Sequence, residues 1–116
     1  MPELAEMKCV PCRGDAPQVT DAEMKAYLPQ IPEWQVVEVD GEKHLTRTYK
    51  LKKFSGALAF TNLVGELAEE QDHHPQIVLE WGRVTVSWWT HAIGGLHRND
   101  FVMAAQCDEL YRRQMS

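Results

Sequence analysis

The sequence predicts one α+β domain, in which helices cover one face of a four-stranded antiparallel sheet. Its 116 residues have the usual length of a single domain. Two pairs of strand-like segments, each joined by a short turn, alternate with three helix-like segments. The resulting order is α-β-β-α-β-β-α, and hairpins and helices in this order favour an antiparallel sheet with its helices on one face.

The first helix and the first hairpin have recognisable boundary signals. "TDAEMKAYL" predicts a helix that begins with a capping box, in which Thr20 and Glu23 bond to each other's backbone N–H groups. "EWQVVEV" and "HLTRTYKL" then predict two strands. Asp40 and Gly41 tolerate the positive φ angles of a tight hairpin turn, so these strands should pair antiparallel.

The second helix, the second hairpin and the last helix follow in turn. "SGALAFTNLVGELAEEQ" has apolar residues at helical spacing and Ser55 as a candidate cap, and Pro75 ends this helix. "QIVLEW" and "RVTVSWWT" predict a hairpin that turns at Gly82. "NDFVMAAQCDELYRRQ" predicts a helix capped by Asn99 or His97.

Composition and charge exclude several classes of function. The formal net charge is −5 and Lys and Arg form no stripe, so direct binding to nucleic acid is not expected. No apolar run approaches the roughly 20 residues that span a bilayer. The N-terminus also lacks the basic and apolar segments of a signal peptide. We therefore expect a cytoplasmic protein that does not bind a membrane.

The N-terminal segment contains two of the three cysteines. Residues 1–19 include scattered Pro and Gly and predict a flexible or loosely docked leader, ahead of a domain at residues 20–116. Cys9 and Cys12 form a C-x-x-C motif, but no second ligand pair follows at the spacing of a structural zinc site. We expect an incidental or locally structural pair, and we expect Cys107 to be a small buried hydrophobic residue.

Histidines at the ends of the predicted elements are the main functional signal. His73 and His74 lie where the second helix ends and the third strand begins. His91 ends the fourth strand, and Asp100 opens the last helix. Binding and catalytic residues are often held at such positions by a rigid scaffold. His91 also lies on the opposite face of its strand from the apolar row, which argues against simple core packing.

Metal binding and proton transfer are the functional alternatives to packing. Neighbouring residues in an extended chain point in opposite directions, so His73 and His74 are poorly placed to chelate one ion together. The sequence has no H-x-H or H-x-x-x-H pair, although one of the two could join His91 and Asp100 in a three-ligand site. We expect no metal. Imidazoles, with a pKa near 6.5, suit acid–base catalysis of a reaction that loses water.

A longer pattern contains these residues. It consists of Glu69, three residues, His73-His74-Pro75, five residues, Trp81, nine residues, His91, eight residues and Asp100. This pattern resembles the signature of the pterin-4a-carbinolamine dehydratases, small α+β enzymes also known in animals as a dimerisation cofactor of a homeodomain transcription factor. The flanking "VTVSWWTHAIGGL" and "DFVMAAQ" are similar to the last hairpin and helix of that family, and the resemblance covers roughly residues 20–112.

The resemblance implies a hydro-lyase that converts 4a-hydroxytetrahydropterin to quinonoid dihydropterin without a metal or an organic cofactor. Such a reaction recycles tetrahydrobiopterin after an aromatic amino-acid hydroxylase has used it. Carried over to this chain, the catalytic residues would be His73, His74 and His91. The substrate contacts would be Glu69, His73, His74, Pro75, Trp81, Thr90, His91 and Asp100.

The resemblance leaves several alternatives open. His97 occupies the position where the family usually has a threonine cap, and we expect it to face solvent. Trp81 either lines the pterin pocket or packs with Ile77 and Leu79. The edge strands of the sheet and the family predict a homodimer or a homotetramer. A non-catalytic module that binds a pterin or a protein on the same scaffold is the alternative function.

Overall fold

A computed structural model of the protein describes residues 3–10 and 17–115. The α-helices and β-strands of this described part are α1 (Asp21–Tyr27), β1 (Gln35–Val39), β2 (Glu42–Lys50), α2 (Lys53–Gln71), β3 (Gln76–Glu80), β4 (Arg83–Trp88) and α3 (Arg98–Met115). Short 3-10 turns lie at Leu4–Glu6, Leu28–Gln30 and His91–Ile93. The predicted order α-β-β-α-β-β-α is confirmed.

The described strands form one antiparallel sheet in the order β1-β2-β4-β3. In the central pair, Leu45 lies opposite Trp88 and Tyr49 lies opposite Val84. Alternate residues of a strand share a face, and all four of these side chains are buried. The face that they form therefore packs against the helices, and β4 lies at the centre of the fold.

The core is completed by one stripe of α2 and by most of the first half of α3. The buried residues of α2 recur at helical spacing and are Ala57, Phe60, Val64 and Ala68. Phe101 and Met103 of α3 are completely buried, and so is Cys107, as predicted. Within the described residues, no helix combines the length and the apolar character that crossing a membrane requires.

Local signals placed α1 and the hairpin turns correctly, but not the start of α2. Thr20 and Glu23 form the predicted capping box, and Asp40 and Gly41 have φ angles of 52° and 80°. Ser55 does not cap α2, because the helix already begins at Lys53. The link from β2 is only two residues long, so the chain must turn at once into the helix.

Residues 3–10 are docked on the domain, which is the second of the two predicted alternatives for this part of the chain. Leu4 is completely buried in the core. The side-chain amide of Gln106, on α3, donates to the backbone oxygen of Met7 at 2.5 Å. Cys9 has a free thiol. Cys12 lies outside the described residues, so the expectation for the cysteine pair stays a prediction.

A buried carboxylate ties α3 to the sheet. Asp108 is 4% exposed, and its Oδ1 accepts hydrogen bonds from Trp34 Nε1 at 3.0 Å and Arg47 Nη1 at 2.7 Å. The same oxygen accepts a third bond from the Tyr49 hydroxyl at 2.5 Å. Burial raises the pKa of Tyr49, so this side chain stays a neutral donor. Trp34 itself is buried in the core.

We predict that Asp108→Ala lowers the free energy of unfolding by about 3–5 kcal/mol, since it leaves the Arg47 charge and two buried donors without their acceptor. Urea denaturation would measure this loss. Glu109→Ala is the matched control, because Glu109 forms a surface ion pair with Arg112 and should cost less than about 1 kcal/mol. Equal losses in the two variants would contradict a stabilising role for the buried network.

Candidate active site

A cavity of about 490 Å³ opens at the end of β4, between the C-terminus of α2 and the start of α3. This volume is in the range of small-molecule sites. Its lining residues are Cys9, Val10, Gln71, Asp72, His73, His74, Trp89, Thr90, His91 and Asn99. The structure therefore brings the predicted histidines His73, His74 and His91 to one cavity, together with Thr90.

The end of α2 orients the histidine pair. Asp72 ends the helix in the left-handed conformation, with φ 53° and ψ 42°, and the chain then becomes extended towards β3. His73 and His74 consequently differ in environment: the side chain of His73 is 12% exposed and that of His74 is 54% exposed. His74 Nε2 lies 3.0 Å from Glu69 Oε1 at the surface, so Glu69 contacts the outer member of the histidine pair.

Asp100 is completely buried beside His73. Its Oδ1 lies 2.6 Å from His73 Nε2, and its Oδ2 accepts hydrogen bonds from Thr90 Oγ1 at 2.8 Å and the His97 N–H at 2.9 Å. An ionised carboxylate only accepts hydrogen bonds, so Nε2 is the nitrogen of His73 that donates in this pair. The His73 ring also lies parallel to Trp88, at 6° and 5.6 Å between centroids, which fixes its plane.

The start of α3 depends on His97. Its Nδ1 accepts a hydrogen bond from the Asn99 N–H at 3.1 Å, while Asp100 accepts from the His97 N–H. This reciprocal pair of bonds resembles a capping box. His97 is half-buried rather than solvent-facing, so it caps the helix, as one of the two predicted candidates. Burial is the main cause that lowers the pKa of His97, and the positive charge of Arg98 acts in the same direction.

His91 is held by Trp89, and Trp89 is supported by His44. Neither residue was predicted from the sequence to belong to the site. Trp89 Nε1 donates to His91 Nδ1 at 3.2 Å. Trp89 in turn stacks on His44, at 6° and 3.8 Å between ring centroids. His44 is buried, and burial lowers its pKa, which favours a neutral ring. The periodicity of β4 puts Trp89 on the same side as His91, but only the pairing of β2 with β4 brings His44 beside them.

The structure does not place Trp81 at the cavity. Trp81 follows β3 in the turn before β4 and is 73% exposed, so it neither lines the pocket nor packs in the core. The cavity lies at the other end of β4, about 20 Å away at the rise of a β-strand. Pro75 directly follows the histidine pair and is not in contact with the cavity. The local spacing of a motif therefore does not bring all its members together.

One ring nitrogen of His73 and one of His91 are already bonded to protein groups. His73 Nε2 is bonded to Asp100, and His91 Nδ1 is bonded to Trp89. Among residues 3–10 and 17–115, no group of three or more His, Cys, Asp or Glu side chains is arranged to hold a metal ion.

The fold and the histidine-lined cavity define a class of small α+β proteins, and comparison with known proteins identifies the family. A family model described as pterin 4 alpha carbinolamine dehydratase matches residues 17–110. A Marinobacter nauticus protein, provisionally named pterin-4-alpha-carbinolamine dehydratase, is 58% identical over 111 residues, which cover 96% of this chain and all of the relative. The chain belongs to the pterin-4a-carbinolamine dehydratase family.

Two further relatives agree with this assignment. A Microcystis aeruginosa protein with the same provisional name is 51% identical over 114 residues, covering 98% of each chain. A Brucella melitensis crystal structure, titled transcriptional coactivator/pterin dehydratase, is 34% identical, with a TM-score of 0.72. It covers 81% of this chain, and the match spans 98% of the Brucella chain. The resemblance inferred from the histidine motif and the predicted fold class are both confirmed.

Because His97 caps α3, we expect the free energy of unfolding to depend on pH. Because the pKa of folded His97 is lowered, the unfolded chain binds a proton that the folded chain excludes as the pH falls below about 6.5. The stability that the neutral His97 contributes is fully present above this pH. It is lost as the pH falls from about 6.5 to the lower pKa of His97 in the folded state. In His97→Ser a hydroxyl caps the helix at any pH. We therefore expect the free energy of unfolding to fall less in this variant than in the native protein between about pH 8 and about pH 5.

Urea denaturation of both proteins at the two pH values would measure the difference. His44 titrates with the same sign, but it is present in both proteins and cancels in the comparison. An identical acid-induced loss in the two proteins would show that His97 does not couple protonation to the start of α3.

Proposed function

We propose that the protein dehydrates 4a-hydroxytetrahydropterin to quinonoid dihydropterin by histidine acid–base catalysis. The observation that carries the proposal is the convergence of His73, His74 and His91 on one cavity, with His73 bonded to the buried carboxylate of Asp100. Family membership supports the substrate class. The relatives' names supply the reaction type, a hydro-lyase reaction.

The reaction itself requires two proton transfers. The bond between C4a and the hydroxyl oxygen breaks, the lone pair of N5 forms the C4a–N5 double bond, and N5 loses its proton. The departing hydroxide must receive a proton, and the N5 proton must be accepted. The substrate supplies the electrons, so the protein has to position the ring and move protons at neutral pH, which imidazoles do well.

His73 is the proposed proton carrier. Asp100 favours a proton on Nε2 of His73, so Nδ1 of His73 is the nitrogen that exchanges protons with the substrate. When Nδ1 is protonated, the carboxylate stabilises the imidazolium, as the aspartate of a catalytic triad does. After Nδ1 gives its proton to the leaving hydroxide, the same nitrogen can accept the proton of N5, which returns the ring to its starting state.

His91 is proposed to orient the hydroxyl group. The indole N–H of Trp89 can only donate, so neutral His91 accepts at Nδ1 and carries its own proton on Nε2. The Nε2–H can donate to the hydroxyl oxygen at C4a and strengthen its departure. Trp89 adds a flat wall suited to a bicyclic ring, and the more exposed His74, held by Glu69, is proposed to bind the substrate at the rim.

The remaining expectations stay predictions that extend this proposal. The product would return to tetrahydrobiopterin after the reaction of an aromatic amino-acid hydroxylase, in the cytoplasm. Strands β1 and β3 occupy the edges of the sheet and could pair with another copy, in line with a homodimer or a homotetramer.

We expect the purified protein to dehydrate enzymatically generated 4a-hydroxytetrahydrobiopterin well above the spontaneous rate. His73→Ala and His91→Ala should each lower kcat/KM by about 10²–10⁴-fold, the usual contribution of acid–base groups. Trp81→Ala is the control, because within one chain Trp81 lies outside the cavity, and it should retain the native rate.

Native protein that only matches the spontaneous rate would refute catalysis. A shift in melting temperature on adding 7,8-dihydrobiopterin would then indicate a module that holds a pterin without converting it. No shift would leave a protein partner as the ligand of this scaffold.

A further inference from the structure

The end of the docked leader is bonded to both helices that position the acid–base residues. The Cys9 N–H donates to Gln71 Oε1 at 3.1 Å, at the last residue of α2. The Val10 N–H donates to Asn99 Oδ1 at 3.0 Å, and Asn99 Nδ2 donates back to the Val10 oxygen at 2.7 Å. Gln71 lies two residues before His73, and Asn99 lies directly before the buried carboxylate of α3. The leader therefore joins the two sides of the site.

Further contacts hold this segment in one place. Leu4 is completely buried, and its N–H donates to Gln30 Oε1 at 2.8 Å. Gln106 and Arg98, both on α3, donate to the backbone oxygens of Met7 and Lys8 at 2.5 and 3.3 Å. The position of the leader next to the cavity is thus determined by the folded domain.

Cys9 and Val10 give apolar surface to a cavity that is otherwise lined mainly by polar side chains, including the three imidazoles. Burial and the negative charge of Asp100 raise the pKa of the Cys9 thiol to about 11, so it is neutral at physiological pH and acts as a small apolar group. Val10 is 45% exposed, although it is apolar and its backbone is bonded on both sides. A flat ring bound in the cavity would cover this exposed surface.

The leader lies outside the pattern that defines the family. The family model begins at residue 17, whereas the Marinobacter relative is matched by 96% of this chain, which includes the end of the leader. The catalytic residues thus belong to the shared pattern, while the wall formed by Cys9 and Val10 does not.

We propose that Cys9 and Val10 form a substrate-contacting wall, which sets the affinity of the site for the reduced pterin ring. This inference rests on the proposed function. Neither side chain can exchange protons at neutral pH, so the wall contributes to binding and not to the chemical step.

The test compares Val10→Ser with Val78→Ser. Val78 is the matched control, because it is 43% exposed on β3 and does not line the cavity. We expect Val10→Ser to raise the KM for 4a-hydroxytetrahydrobiopterin and the Kd for 7,8-dihydrobiopterin by about threefold to tenfold, the usual effect of losing a small apolar contact. The kcat should change less than about twofold, since uniform binding affects KM alone. Val78→Ser should leave all three constants unchanged.

Unchanged KM and Kd in Val10→Ser would contradict the proposal that Cys9 and Val10 contact the substrate. A loss of kcat with KM retained would contradict it as well. Equal increases in both serine variants would also overturn it, because the effect would then not be local to the leader. If the native protein shows no dehydration above the spontaneous rate, the proposed function fails, and the Kd for 7,8-dihydrobiopterin still decides whether the leader contacts a pterin.

Discussion

The carboxylate of Asp100 is completely buried, and it accepts hydrogen bonds from His73, from Thr90 and from the N–H of His97. A buried charge is costly unless such donors surround it, so the three segments that provide them must meet at this point. These segments are the link after α2, the end of β4 and the start of α3. The same interaction therefore also holds together His73 and Thr90, two of the residues that line the cavity.

The arrangement gives two of the histidines that line the cavity, His73 and His91, different chemical environments. The ring of His73 is held by a carboxylate on one side and by the face of Trp88 on the other. His91 is held at Nδ1 by the indole of Trp89, a neutral donor. Beside the carboxylate of Asp100, the ring of His73 can carry a second proton. The indole N–H of Trp89 instead favours one tautomer of the neutral His91 ring. The proposed division between a proton carrier and an orienting group rests on these two partners.

The cavity is lined both by residues that the family model matches and by residues of the leader, which lies before the matched part. The family model covers the elements that supply the histidines and the buried carboxylate, and the leader at residues 3–10 adds a wall from outside it. The leader is anchored by side chains of α2 and α3, so its position depends on the same helices as the proposed catalytic groups.

The order of the elements, the capping box of α1 and the hairpin turns were predictable from the sequence, because they depend on neighbours only a few residues apart. The family was predictable from the fixed spacing of the motif residues between Glu69 and Asp100. Only the tertiary structure showed that His44 supports Trp89, that Trp81 lies away from the cavity, and that the leader is docked. These placements depend on strand pairing and on contacts between residues tens of positions apart, such as the bond from Val10 to Asn99. Local periodicity carries no information about contacts between distant segments. Trp81 therefore lies away from the other residues of its motif, whereas His44 and the leader, which are outside the motif, lie beside the site.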